Sequence, residues 1–192
     1  MTNFKLVIVG CSAGGVTAIQ KLLERLSPEL SIPIVVVQHL PADSKIDPNL
    51  VFGRCTRRTI LEAGDKTMIE ADNVYFAAPG YHLLIERDLT FSLSQDEPVH
   101  FARPSIDVSF ESASAALGAD VCGILLTGAN SDGAAGLHEI SKYGGYTLVQ
   151  DPKTAESPAM PAAALQLFTP SFVGSIDQIA EKISQIGSGV LS

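Results

Sequence analysis

Three short runs of almost unbroken Val, Ile and Leu, "KLVIVG", "SIPIVVVQH" and "VCGILLTG", do most to limit what this chain can become. A strand with one wet face alternates apolar and polar residues; these runs do not, which is how strands buried on both faces of a parallel sheet read. The first run ends in "GCSAGG". Beyond it Val16, Ile19, Leu22, Leu23 and Leu26 recur at helical spacing, while Glu24 and Arg25 fall off that face. Strand, tight turn, helix and second strand make a βαβ unit. "DGAAGLHEISKYGG" and the following "YTLVQD" predict a second such unit, its helix ending at Gly144 or Gly145. "NVYFAAPG" predicts a shorter strand, "HLLIERDLTFSLS" a hairpin turning near Arg87 and Asp88, and "SIDVSFESASAALG" and "IDQIAEKISQIG" further helices. The expected fold is α/β: a doubly wound, mostly parallel sheet with helices on both faces and an antiparallel hairpin, in a single domain over residues 1–192.

In open α/β sheets the working site lies outside the carboxyl ends of the strands. The residues just past the three runs are Ser12, His39 and Asp132. They are a hydroxyl, an imidazole and a carboxylate, the parts of a nucleophile, a base and a group that orients the base. A serine hydroxyl attacks poorly at neutral pH until a base removes its proton, and histidine can take that proton and return it. A strand-to-helix turn also aims free backbone N–H groups at the reacting carbonyl, which makes the N–H of Ala13 the first candidate oxyanion donor. Each residue alone has a plainer reading. Ser12 and Asp132 would cap the helices that follow them, and His39 would bond a backbone carbonyl at its strand end. Three such residues at three strand ends shift the balance toward catalysis. Cys11, next to Ser12, reads as a small buried residue.

Other sites fit less well. A dinucleotide fingerprint wants G-x-G-x-x-G and an acidic residue after the second strand, but Ser12 and His39 occupy those places. A phosphate-binding P-loop needs Gly-Lys-Ser/Thr, and no lysine follows the turn before Lys21. The α/β-hydrolase fold shares Gly-x-Ser-x-Gly, yet orders its triad Ser, acid, His, whereas the order here is Ser, His, acid. A net charge of −8 argues against nucleic acid as a partner. No apolar stretch approaches the roughly 18 residues of a membrane span, so no membrane insertion is expected. The three cysteines, Cys11, Cys55 and Cys122, have no metal-ligand spacing, which favours a reduced, cytoplasmic setting with neither metal nor cofactor.

The segments "GCSAGG", "VVVQHLPA", "VYFAAPGYHLLI", "RPSIDVSFESA", "GILLTGANSDGAAGL" and "TLVQDPKTAESPAMPAAAL" together resemble the catalytic domain of the bacterial chemotaxis protein-glutamate methylesterases, the CheB family. They occur in family order and cover roughly residues 5 to 185. The resemblance implies a serine hydrolase that removes methyl esters from glutamate side chains of chemoreceptor cytoplasmic helices, releasing methanol, with glutamine deamidation as a second activity. It carries the nucleophile to Ser12, the base to His39 and the acid to Asp132.

Some positions depart from the family pattern. Ala129 and Asn130 replace the commoner methionine and glycine in a loop whose backbone is a candidate second oxyanion donor, at Ala129. Ala13 replaces a threonine, and "DSKIDPNLVFGRCTRR" lacks the usual aromatic-rich segment. Few residues precede the first strand, so the family's receiver domain is not expected in this chain, and the activity would be either constitutive or controlled by a separate partner. Arg103 in "RPSID" is a candidate contact for an acidic receptor surface, or a salt-bridged loop residue. Met160 and Pro161 are candidate walls of the substrate cleft, although Pro161 also suits the first position of a helix and Met160 suits packing. His82, His100 and His138 are read as structural or surface residues. Two other functions stay open: a binding or regulatory module that no longer turns over, and an esterase or deamidase acting on a non-receptor protein.

Overall fold

The structure is a computed structural model, and it describes residues 4–187. Seven strands form one sheet, β1 (Leu6–Cys11), β2 (Ile34–Gln38), β3 (Thr59–Glu62), β4 (Asn73–Phe76), β7 (Val121–Leu125), β8 (Tyr146–Gln150) and β9 (Phe172–Gly174), in the order β3-β4-β2-β1-β7-β8-β9. Every pairing in it is parallel. The expected hairpin is the separate antiparallel pair β5 (His82–Ile85) and β6 (Phe91–Ser94), closed where the Glu86 N–H donates to the Thr90 carbonyl.

The unbroken apolar runs are explained by two cores, one on each face. Along β1, Val7, Val9 and Cys11 face one core, shared with α1 (Gly15–Arg25) and α6 (Ile176–Gly187). Leu6 and Ile8 face the other, shared with α3 (Ile106–Leu117), α4 (Ala134–Lys142), α5 (Ala159–Leu167) and the hairpin. Alternate side chains thus enter opposite cores, so neither face of the strand tolerates a polar residue.

Three elements have no forecast in the sequence. The helix α2 (Pro48–Phe52) is a single turn, started by Pro48 and by the Asp47 side chain accepting from the Asn49 N–H. β3 and β9 lie at the two sheet edges, and only Ile60 of β3 is buried, so no apolar run marks them. Pro161 stands at the third position of α5 rather than the first, still among the first-turn residues whose N–H has no helical partner.

The strand order turns at β1, which has β2 on one side and β7 on the other. The crevice at such a turning point is where an open α/β sheet holds its ligand. Gly10 lets α3 reach that crevice, because a Cβ there would overlap Ile106 Cγ2 and crowd Phe110 and Leu125. Gly10→Ala is therefore expected to lower stability by about 1–3 kcal/mol, read by urea denaturation, and to displace the start of α3.

Candidate active site

The register of β1 and β2 pairs Cys11 with Gln38, so the next residues, Ser12 and His39, leave the sheet side by side. The His39 N–H donates to the Cys11 carbonyl at 3.2 Å, and the Ser12 N–H donates to the Thr127 carbonyl at 2.9 Å. Ser12 therefore sits between the ends of β2 and β7. Asp132 lies on the loop after β7, its side chain fully buried and its Oδ2 2.7 Å from His39 Nε2, while His39 keeps 13% of its side chain exposed.

The Asp132 carboxylate is the most heavily bonded group in the site. Oδ2 also accepts the Ile106 N–H at 2.7 Å, and Oδ1 accepts the Ser105 hydroxyl at 2.9 Å and the Asp107 N–H at 3.0 Å. Burial is the strongest single influence on its pKa and raises it. The bonds from His39, Ile106, Asp107 and Ser105 together outweigh burial and hold the carboxyl below its ordinary value. The group stays an anion at neutral pH. Two of its donors belong to the first turn of α3, where free N–H groups and the helix dipole favour negative charge.

Neither expected cap forms. The cap positions of α1 and α4 are Gly14 and Gly133, both with positive φ and without a side-chain bond. The Ser12 carbonyl, not its hydroxyl, accepts the Gly15 N–H, and Asp132 turns to His39 instead. Cys11 is fully buried, and burial pushes its thiol up to about 12, so it remains a neutral thiol beside Ser12.

Ala13 and Ala129 are both exposed at the mouth of the crevice. Thr127 ties the two loops together. Its Oγ1 lies 2.9 Å from the Ala13 carbonyl and accepts the Ser157 N–H, while its own N–H donates to Gln150 Oε1. Met160 is not a cleft wall. It is fully buried, with its thioether where a Cβ on Gly128 would be, so it supports the loop from beneath. Arg103 does line the cleft, but its Nη1 donates to the carbonyls of Gln95 at 2.9 Å and Asp96 at 3.0 Å, which fastens the segment before α3.

Two of the histidines read as structural or surface residues lie close to the site. His82 accepts the Ser105 N–H at Nδ1, which leaves the ring proton on Nε2 to be donated to the Glu97 carbonyl. His100 lines the same cleft as His39 and lies 3.4 Å from Asp107 Oδ2. His138 stacks on Phe168 at 5.0 Å. Ligand atoms of His100, Asp107 and Asp132 fall within 4.8 Å of one another. Both Asp132 oxygens and Asp107 Oδ1 already accept hydrogen bonds, from the Ser105 hydroxyl and from the N–H groups of Ile106 and Gly136. Ser105 and Asp107 were missed in the sequence because their partner is 25 or more residues away; the only local signal was a serine preceding an acidic first turn.

An α/β domain with a buried Asp–His pair beside a serine turn at its switch point has the layout of a hydrolase. The family model described as CheB methylesterase matches residues 7–183, and the chain belongs to that family. A Leptospira interrogans protein, provisionally named protein-glutamate methylesterase/protein-glutamine glutaminase, is 45% identical over 179 residues, 93% of each chain. A Symbiobacterium thermophilum protein with the same name, unqualified, is 32% identical over 96% of this chain, which spans only 51% of that relative. The crystal structure of the Thermotoga maritima CheB methylesterase catalytic domain superposes with a TM-score of 0.90 at 25% identity, covering 95% of this chain and 98% of that one.

Ser105→Ala removes one donor from a buried anion, and kcat is expected to fall about tenfold with KM unchanged, measured by steady-state kinetics. Burial, with the charge of Asp132, pushes Asp107 up to about 6, against the bonds from Gly136 and Gly133 and the field of His100. A carboxyl whose folded pKa is raised adds stability below its unfolded pKa of about 3.9 and loses it as the pH rises through the folded value. Asp107→Asn should therefore flatten the decline in unfolding free energy between about pH 4 and pH 6, read by urea titration at each pH.

Proposed function

We propose that the chain is a serine hydrolase that removes methyl esters from glutamate side chains of chemoreceptor proteins. The observation that carries this reading is the 2.7 Å bond between His39 and a buried, anionic Asp132, on a histidine that leaves the sheet beside Ser12. The names of the relatives support the substrate class.

In the proposed mechanism the Ser12 oxygen attacks the glutamyl carbonyl while His39 takes the hydroxyl proton. With Nε2 committed to Asp132, Nδ1 is the nitrogen left for that proton. Asp132 fixes the ring and stabilises the imidazolium. The Ala13 N–H, with a second donor from the loop at Ala129, faces the negative charge on the carbonyl oxygen. The proton returns to the methoxy group, methanol leaves, and water attacks the acyl-serine with His39 as base, yielding glutamate and free Ser12. A glutamine amide in place of the ester would release ammonia by the same steps.

No helix among the described residues is long and apolar enough to cross a membrane. The proposed setting is cytoplasmic, against the cytoplasmic helices of the receptor. Ser12→Ala is expected to abolish methanol release from a methylated receptor fragment without changing the fold by circular dichroism. Asp132→Asn should lower kcat by on the order of 10³–10⁴. Undiminished release by the serine variant would sink the assignment.

A further inference from the structure

The segment between β6 and α3 makes an unusual turn. Val99 and Ala102 bond reciprocally, N–H to carbonyl at 3.2 and 2.9 Å, and the two residues between them, His100 and Phe101, both have positive φ, 51° and 61°. A two-residue loop with both φ values positive normally takes Asn-Gly or Asp-Gly, because a side chain there crowds its own backbone. Phe is among the least suited residues for that place. Nothing in the core rewards it, since Phe101 is 103% exposed. Arg103 fastens the base of the same turn to the Gln95 and Asp96 carbonyls. Strain held by surrounding structure to keep an apolar ring in water points to a contact made with something else.

The place of that contact is defined by the cleft. Phe101 lines a depression of about 640 Å³ together with His39, Leu40 and Asn130. On the far side of Leu40 a second, strongly apolar cavity of about 270 Å³ opens among Val16, Ile46, Phe52 and Phe76. Leu40 walls both, and it is the residue after His39. Val16 is the second residue of α1, four residues past Ser12, and Ile46, at the cavity, is 55% exposed. A polypeptide that presents a side-chain ester to Ser12 and His39 must lie across the ground between these two apolar features. A second copy of this chain seated there would close the cleft to a protein substrate.

We propose that Phe101 and the apolar cavity beyond Leu40 form a two-part docking site for the substrate protein, gripping apolar side chains that flank the esterified glutamate. The inference rests on the protein-ester reading given above and adds the surface that selects a protein over a small ester. It also gives the strained turn a use: the ring is displayed, unburied, until substrate covers it.

The test compares wild type, Phe101→Gly and Ile46→Ser on two substrates, a methylated receptor fragment and p-nitrophenyl acetate, which is too small to reach either feature. The ratio of kcat/KM for the fragment to that for the small ester is expected to fall about tenfold in each variant, mainly through KM. Phe101→Gly should at the same time melt at a higher temperature than wild type, because glycine relieves the turn. An unchanged ratio in both variants overturns the docking site, as does a wild-type dimer in sedimentation that Phe101→Gly dissolves. A wild type that hydrolyses p-nitrophenyl acetate but releases no methanol from methylated receptor fragments overturns the underlying substrate reading instead.

Discussion

The buried Asp132 carboxylate is the group on which the site's architecture depends. An isolated carboxylate out of water is so costly that it would take up a proton, and a neutral acid could not hold an imidazolium. It is kept charged by four donors, His39, Ser105 and the N–H groups of Ile106 and Asp107. Those donors come from the end of β2 and the start of α3, so satisfying one anion fixes two elements against the loop after β7. Gly10 at the end of β1 gives α3 the room to arrive. The same contacts that make the fold possible at this point hold the imidazole at the end of β2, the strand next to the one Ser12 follows.

A second layer holds the first. His82 accepts the Ser105 N–H at Nδ1 and donates its Nε2–H to the Glu97 carbonyl, fixing the residue that bonds Asp132. Thr127, anchored by Gln150, receives the Ser12 N–H on its carbonyl and reaches the Ala13 carbonyl with its hydroxyl. The serine turn is thereby held from the β7 and β8 side while the histidine is held from the α3 side. Side chains bound in this way lose little freedom when the substrate arrives, which is what positioned catalysis requires.

Much of this was legible in the chain because apolar runs buried on both faces announce a parallel sheet, and a parallel sheet announces where its strand ends point. Ser12, His39 and Asp132 followed from that alone. The short edge strands β3 and β9 were not legible, since Thr59–Glu62 buries only Ile60 and carries no pattern. Met160 was left between two roles because a methionine in a Pro-Ala helix start looks the same whether it lines a cleft or, as here, packs under Gly128. Ser105 and Asp107 escaped notice for a different reason, as did the particular contacts of His82, read only as a structural or surface residue: their roles exist only through partners that folding brings in from distant sequence. Phe101 lies between these cases, since an aromatic in a polar loop is visible, but its positive φ and full exposure are properties of the folded turn.

The account claims that Ser12, His39 and Asp132 act as one unit. The most direct measurement is labelling of the wild-type protein with a fluorophosphonate, with the modified residue mapped by peptide mass spectrometry. The account predicts a single adduct on the Ser12 oxygen, formed quickly in wild type and lost when His39 is replaced by alanine. An adduct on another residue, or labelling of Ser12 at the same rate without His39, would contradict it.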